Sequence, residues 1–319
     1  MGMGTQTLTD SSVALSIVIP VYNGAESVPL LVEKLFALDV PGGMEIILVV
    51  DGSPDNSLAV CRQLRAPQGK TLRVANLSRN FGEHNAVMAG YSIARGEYII
   101  NMDDDLQNPP EEVIKLWQFT RVKDFDVVYT RYDDKQHAGW RNLGSRFTNW
   151  CADHLLDKPK GLYLSSFRCV NAFTAKAILN HTGPFPYIDG LIMQVTQNIG
   201  SLAVQHLPRA EGKSNYTLSR LMRLFLSMFL NFSVIPLRIA SLFGAIVGFI
   251  GFLALLWILL EALGGGTPRG WAFMTASLLF LTGSQLILLG VMGEYVGRLF
   301  LTVNKRPQFV IRDITHHEP

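Results

Sequence analysis

The stretch YIINMDDDLQNPPEE, residues 98–112, passes from an apolar, β-branched run into three adjacent aspartates and then a proline pair. Placing Asp103, Asp104 and Asp105 side by side at a strand end sets like charges against one another, an arrangement that a bound cation relieves. Helix capping explains one polar residue at such a junction, and Asn108 before PPEE is a good N-cap with proline in the first turn. Capping leaves the other acids unexplained.

Working outward, short apolar runs recur at about thirty-residue spacing: LSIVIPV from Leu15, MEIILVV from Met44, TLRVANL from Thr71, GEYIINM from Gly96 and DVVYT from Asp126. Stretches with helical periodicity, such as 26–38 and 83–94, lie between them. This alternation predicts βαβ units and an α/β fold with a mostly parallel sheet. Ligands of such sheets bind outside the carboxyl ends of the strands. Asp51 in VVDGSPDNS and the three aspartates of NMDDDLQ both fall there, although Asp51, Ser53 or Asp55 could also cap the following helix. After Thr130 the pattern lapses into a polar, glycine-containing segment; LYLSSFRCV and LAVQHLPRAEGKSNY then read as strands, the latter running into a basic loop.

The second half of the 319-residue chain differs in composition: residues 239–293 carry charge only at Glu261 and Arg269. The uncharged runs 239–260 and 270–293 each exceed the roughly 20 residues that cross a bilayer core, so two transmembrane helices are expected. Arg209, Lys213, Arg220, Arg223 and Arg238 precede the first run, and Arg298, Lys305, Arg306 and Arg312 follow the second. The positive-inside bias then puts both flanks, and both termini, in the cytoplasm. Residues 1–12 have neither the basic nor the apolar region of a secretory signal. Within 218–232, Leu221, Leu224, Phe225, Met228, Phe229 and Phe232 share one face, which predicts an interfacial helix, with a core helix as the alternative. A net charge of +2 argues against a nucleic-acid partner, and three widely spaced cysteines show no metal or redox pairing. Mid-span segments free of ionisable residues give a two-span channel little support.

Two carboxylates at alternate positions on a strand terminus, Asp103 and Asp105, can hold Mg²⁺ or Mn²⁺ and leave positions for phosphate oxygens. The motifs SIVIPVYNGAES, VVDGSPDNS, LSRNFGEHNAVMAGYSIARGEYIINMDDDLQNPPEE, FR, RAEGKSNY and GEYVGRLFLTVNKRPQF follow one another in the chain. In that order they resemble the membrane-bound polyprenyl-phosphate glycosyltransferases. These form the inverting branch of glycosyltransferase family 2 that includes dolichol-phosphate mannose synthases, bactoprenol glucosyltransferases and undecaprenyl-phosphate aminoarabinose transferases. The resemblance implies a Rossmann-like GT-A catalytic domain at 13–216, an interfacial amphipathic helix at 217–237, transmembrane helices at 238–262 and 270–293, and a juxtamembrane helix and strand at 294–319. It also implies a homo-oligomer, a tetramer in relatives, with RPQFVIRD pairing against a neighbouring subunit's sheet edge.

Position by position, the resemblance assigns Pro20, Tyr22, Asn23 and Glu26 to the nucleotide site, Asp51 to the base, and Arg79 and Asn80 to the nucleotide. Asp103, Asp105 and Gln107 match the metal and diphosphate motif; Asp104 replaces a usual small residue and is grouped with the nucleotide-binding positions. Arg141 and Arg168 match basic positions near the acceptor and donor phosphates, and Arg209, Lys213, Ser214 and Tyr216 the phosphate-binding loop. Many relatives carry an aspartate just before FR as a general base; here Ser165 and Ser166 stand there. Either Asp189 serves instead, or no base is needed, because a phosphate monoester with second pKa about 6 is already a nucleophile at neutral pH.

The expected reaction is transfer of one sugar from a nucleotide donor, UDP-linked, to undecaprenyl or a similar polyprenyl phosphate at the cytoplasmic membrane face, for cell-envelope glycan modification. A processive polysaccharide synthase fits poorly, since QFTRV at Gln118 only partly matches its QxxRW motif. The alternative is a catalytically weakened, membrane-tethered nucleotide-sugar binding protein.

Overall fold

The computed structural model describes residues 13–132, 162–205, 207, 235–263 and 270–317. Arg141, Arg209, Lys213, Ser214, Tyr216 and most of the expected interfacial helix lie outside the described residues. The chain divides into two compact units, one holding the residues up to Tyr216 together with Arg306–Pro319, the other Thr217–Lys305.

In the first unit the repeating pattern folds as β1 (Val13–Val21), α1 (Ser27–Phe36), β2 (Met44–Val50), α2 (Ser57–Gln63), β3 (Thr71–Leu77), α3 (Glu83–Ile93), β4 (Gly96–Asn101), α4 (Pro110–Lys123) and β5 (Val127–Tyr132). All seven residues of β2 are buried, as expected where helices cover both faces of a parallel sheet. In α1, Val28, Leu31, Val32, Leu35 and Phe36 are buried, a 3.6-residue stripe facing the sheet. The N-cap of α4 is Pro109, with Pro110 opening the helix, Glu111 and Glu112 in its first turn, and Arg121 and Lys123 in its last, as the helix dipole favours. Asn108, expected as that cap, sits one residue earlier, where its Oδ1 accepts a hydrogen bond from the Tyr132 hydroxyl at 3.1 Å.

β6 (Arg168–Asn171), α5 (Ala172–Ile178), α6 (Ile188–Val195) and β7 (Ile199–Val204) complete this part of the unit. Only the end of LYLSSFRCV is strand; Ser165 and Ser166 lie before it. The eight-stranded sheet has the order β7-β5-β6-β4-β1-β2-β3-β8. Its centre, β4-β1-β2-β3, is parallel, whereas β6 runs antiparallel to both β4 and β5. The chain winds from β1 outward through β2 to β3 and then returns to the other side of β1 as β4, so a crevice opens beyond the carboxyl ends of β1 and β4.

β8 (Ile311–His317) pairs antiparallel with β3, from Leu72 opposite His317 to Leu77 opposite Ile311. Within the single chain, the strand expected to join a neighbouring subunit's sheet edge covers the edge of its own sheet. The physical reason is the open edge of β3, whose backbone groups need partners. Side chains fix the register, with Asp313 bridging Arg62 at 2.5 Å and accepting from Asn76 Nδ2 at 3.0 Å.

The second unit contains α7 (Ile235–Leu263) and α8 (Trp271–Val303), of 29 and 33 residues. At about 1.5 Å per residue both exceed the roughly 30 Å hydrocarbon core. Among the described residues one segment, Phe280–Val303, combines span length with a mean hydropathy of 1.6, and Ser241–Leu253 is a shorter apolar stretch.

Candidate active site

Three loops meet at the crevice. The first follows β1, where Asn23 adopts a left-handed conformation with φ 59°. Its backbone is tied to the loop after β2: Asn23 N donates to Ser53 Oγ at 2.8 Å, Gly24 N to Ser57 Oγ at 3.0 Å and Ala25 N to Asp55 Oδ2 at 3.4 Å. Both serine hydroxyls in turn donate to Asp55 Oδ1 at 2.5 Å. Burial opposes ionisation of Asp55, but the Ser53 and Ser57 hydroxyls and two backbone amides outweigh it and hold the carboxyl below its ordinary value. Of the residues the sequence assigned to a nucleotide, Tyr22, Asn23 and Glu26 are exposed on this loop and Pro20 is half-buried at the end of β1.

The second loop joins β3 to α3 and carries Arg79 and Asn80, both exposed. Asp51, buried at the end of β2, accepts hydrogen bonds from Phe81 N at 2.7 Å and Gly82 N at 2.8 Å. Burial raises its carboxyl, with the two amides and Arg79 pulling the other way. Gly52 lets the loops close: at φ 56° a side chain would be strained, and a Cβ there would lie 2.3 Å from Asn80 N. The Arg79 guanidinium sits over the Phe81 ring, 4.2 Å from its centroid. Asp51 thus anchors the loop that presents Arg79 and Asn80.

The third loop is the acidic one after β4. Met102 N donates to Val18 O at 3.2 Å, carrying the β4 backbone along β1 and delivering Asp103, Asp104 and Asp105 to the rim as half-buried residues. Asp103 Oδ2 accepts from the Ser166 hydroxyl at 2.7 Å, and Asp105 Oδ1 from Gln107 N at 3.2 Å. Asp104 packs against the first loop so closely that a Cβ on Gly24 would meet its Oδ2 at 2.2 Å. Leu106 takes a left-handed turn, φ 61°, after which Gln107 O accepts from Leu207 N at 2.8 Å. Gln107 therefore joins the acidic loop to the segment after β7.

Beside this rim, Arg168 is buried and forms an ion pair with Asp189, whose Oδ1 also accepts from the Tyr129 hydroxyl at 2.9 Å. Two residues the sequence reading passed over stand on the first turn of α3. Glu83 is exposed by surface area, yet desolvation by the surrounding protein, followed by the nearby Asp103 charge, raises its carboxyl to about 7. Burial lowers His84 to about 4, and its ring meets Tyr187 edge-on at 5.4 Å. Ser53 and Asp55 were legible only as helix-capping candidates, Ser57 was not singled out, and Ser166 was legible only as a missing acid.

Among the described residues, no three His, Cys, Asp or Glu side chains converge as a metal cage. A carboxylate offers about four acceptor sites, so one that accepts a hydrogen bond can also ligate a cation. Two carboxylates at a rim suit a hard cation that takes its remaining oxygens from water and a diphosphate, as Mg²⁺ commonly does. The donor set fits such a shared cation.

Residues 16–180 match the family model described as Glycosyl transferase family 2. The chain is 33% identical over 310 residues to the undecaprenyl-phosphate 4-deoxy-4-formamido-L-arabinose transferase of Serratia proteamaculans, covering 96% of this chain and 95% of that protein. The transferase of the same name from Pseudomonas aeruginosa is 32% identical, over 96% of this chain and 91% of its own length. Among solved structures, glucosyl-3-phosphoglycerate synthase from Mycobacterium tuberculosis aligns with a TM-score of 0.49 at 15% identity, over 67% of this chain and 79% of that one. With a family model spanning more than half of its length, and relatives at a third identity along nearly all of it, the chain belongs to glycosyl transferase family 2 and is a glycosyltransferase.

Proposed function

We propose that the enzyme transfers a single sugar, with inversion, from a UDP-linked donor to undecaprenyl phosphate or a similar polyprenyl phosphate at the cytoplasmic membrane face. One observation carries this reading: identity to the undecaprenyl-phosphate transferases extends over 96% of the chain, through the long apolar helices as well as the α/β unit. In this reading α7 and α8 both cross the bilayer, with the basic residues that flank them cytoplasmic.

The chemistry balances without a protein base. A phosphate oxygen of the lipid attacks the anomeric carbon from the face opposite the leaving group, a new carbon–oxygen bond forms, and the bond to the nucleoside diphosphate breaks with its electron pair. A phosphate dianion becomes a diester monoanion while the diphosphate leaves with one more negative charge, so no proton has to move. Asp103 and Asp105, with Gln107 bracing their loop, would hold Mg²⁺ or Mn²⁺. The ion when bound offsets charge on the departing diphosphate. The first two loops supply the nucleotide's seat, with Arg79 and Asn80 presented by Asp51 and the Tyr22–Glu26 segment opposite. Arg141 and the loop containing Arg209, Lys213, Ser214 and Tyr216 would bind the lipid phosphate, a task suited to guanidinium forks. Asp189, already engaged by Arg168 and Tyr129, acts as a positioning residue in this account and not as a base.

Purified full-length protein supplied with a panel of UDP-sugars, Mn²⁺ and short-chain polyprenyl phosphate should release UDP only when the lipid is present. Metal-dependent binding of a UDP-sugar without release at any lipid concentration would favour the tethered binding protein.

A further inference from the structure

The serine pair before Phe167 stands where the resemblance implied an acid, and the two hydroxyls have separate surroundings. Ser165 is buried: its Oγ lies 2.8 Å from Thr130 Oγ1 and donates to Phe167 O at 2.7 Å. Ser166 is half-buried at the rim, its carbonyl held by Asn101 Nδ2 at 2.8 Å and its hydroxyl directed at Asp103 Oδ2 at 2.7 Å. Asn101 itself is fully buried as the last residue of β4. The Ser166 hydroxyl is therefore aimed by backbone fixed on both sides. Water could satisfy a half-exposed hydroxyl, so burial alone does not dictate the choice of Asp103.

We infer that Ser166 is a positioning residue that orients Asp103 for the divalent cation, occupying the place of the acid with a hydrogen-bond donor. This rests on the proposed role of Asp103 as a metal ligand. Carboxylates that bind metals are commonly fixed by such outer hydrogen bonds, whose loss typically costs 10–100-fold in metal affinity or activity. A carboxylate at position 166 would instead set a second negative charge against Asp103, and one of the two would tend to hold a proton. A serine donates to Asp103 and leaves its charge available. In the proposed transfer the lipid phosphate attacks without a protein base, so position 166 needs no acid.

The test is Mn²⁺ binding to the full-length protein in the presence of UDP, followed by loss of the free-ion electron paramagnetic resonance signal. Ser166→Ala should raise the Mn²⁺ Kd by about 10-fold or more, with metal-free UDP binding and melting temperature unchanged, and Ser166→Thr, which keeps the hydroxyl, should restore affinity. Unchanged Mn²⁺ affinity in Ser166→Ala, alongside loss of binding in Asp103→Asn, would overturn the inference and leave the cation site standing. Mn²⁺ binding by Asp103→Asn as tight as wild type would overturn both.

Discussion

Replacing Asp189 with asparagine separates a structural ion pair from a catalytic base. Asparagine keeps an acceptor for the Tyr129 hydroxyl but removes the charge that Arg168 faces. The Arg168 and Asp189 side chains are only 3% and 11% exposed, so an unpaired guanidinium would remain where water reaches poorly. Breaking a buried pair from one side costs about 3–5 kcal/mol; the position of Asp189 near the crevice places the expectation at the lower end. For a domain of this size 1 kcal/mol shifts Tm by roughly 2–4 °C, so Asp189→Asn should melt about 6–12 °C lower. The double variant Arg168→Met, Asp189→Leu removes both charges and should melt well above the sum of the single losses, a coupling of about 2 kcal/mol or more. Differential scanning calorimetry in one detergent and salt supplies the numbers, with kcat measured on the same samples. A melting temperature for Asp189→Asn within about 2 °C of wild type, or strictly additive losses, would refute the ion-pair account. A large fall in kcat with unchanged melting would restore Asp189 as a base.

Three further outcomes follow from the site. Gly24→Ala should lower both transfer and melting temperature, because the added Cβ would meet the Asp104 carboxylate at 2.2 Å and the buried Val21 and Val28 side chains at 3.1 Å; wild-type transfer and melting would contradict this. Glu83 binds its proton more tightly folded, at about 7, than at its ordinary 4.5, so its contribution to apo-protein stability is full below 4.5 and is lost as pH rises through 7. Glu83→Gln should flatten that part of the melting-versus-pH curve, and an unchanged slope would count against it. Asp313→Ala removes the contacts to Arg62 and Asn76 that fix β8, and should speed amide exchange in β8 and along the outer edge of β3 while sparing β1 and β2.

The parallel core was legible because its strands are continuous apolar runs at even spacing, and the acidic stretch after β4 because its charge density conflicts with a buried strand end. The antiparallel insertion of β6 was not legible: four residues, Arg168–Asn171, carry too little pattern to fix direction. β8 was read as a strand, but sequence order gives no clue that a segment beyond the apolar helices returns to the edge of β3. The site showed the same division. Asp103 and Asp105 announce themselves locally, whereas the Ser53–Asp55–Ser57 brace and the Ser166–Asp103 hydrogen bond exist only once distant loops meet. Asp51, which the resemblance assigns to the base, is in the fold the anchor of the Arg79 loop.

In the proposed function the acidic rim is what makes sugar transfer to a lipid phosphate possible. Mass spectrometry of the lipid product tests it most directly, comparing wild type with the Asp103→Ala, Asp105→Ala double variant under saturating UDP-sugar, Mn²⁺ and polyprenyl phosphate. A lipid-phosphate-linked sugar is expected from the wild type and none above background from the double variant, with both proteins folded. Equal product from the two would contradict it.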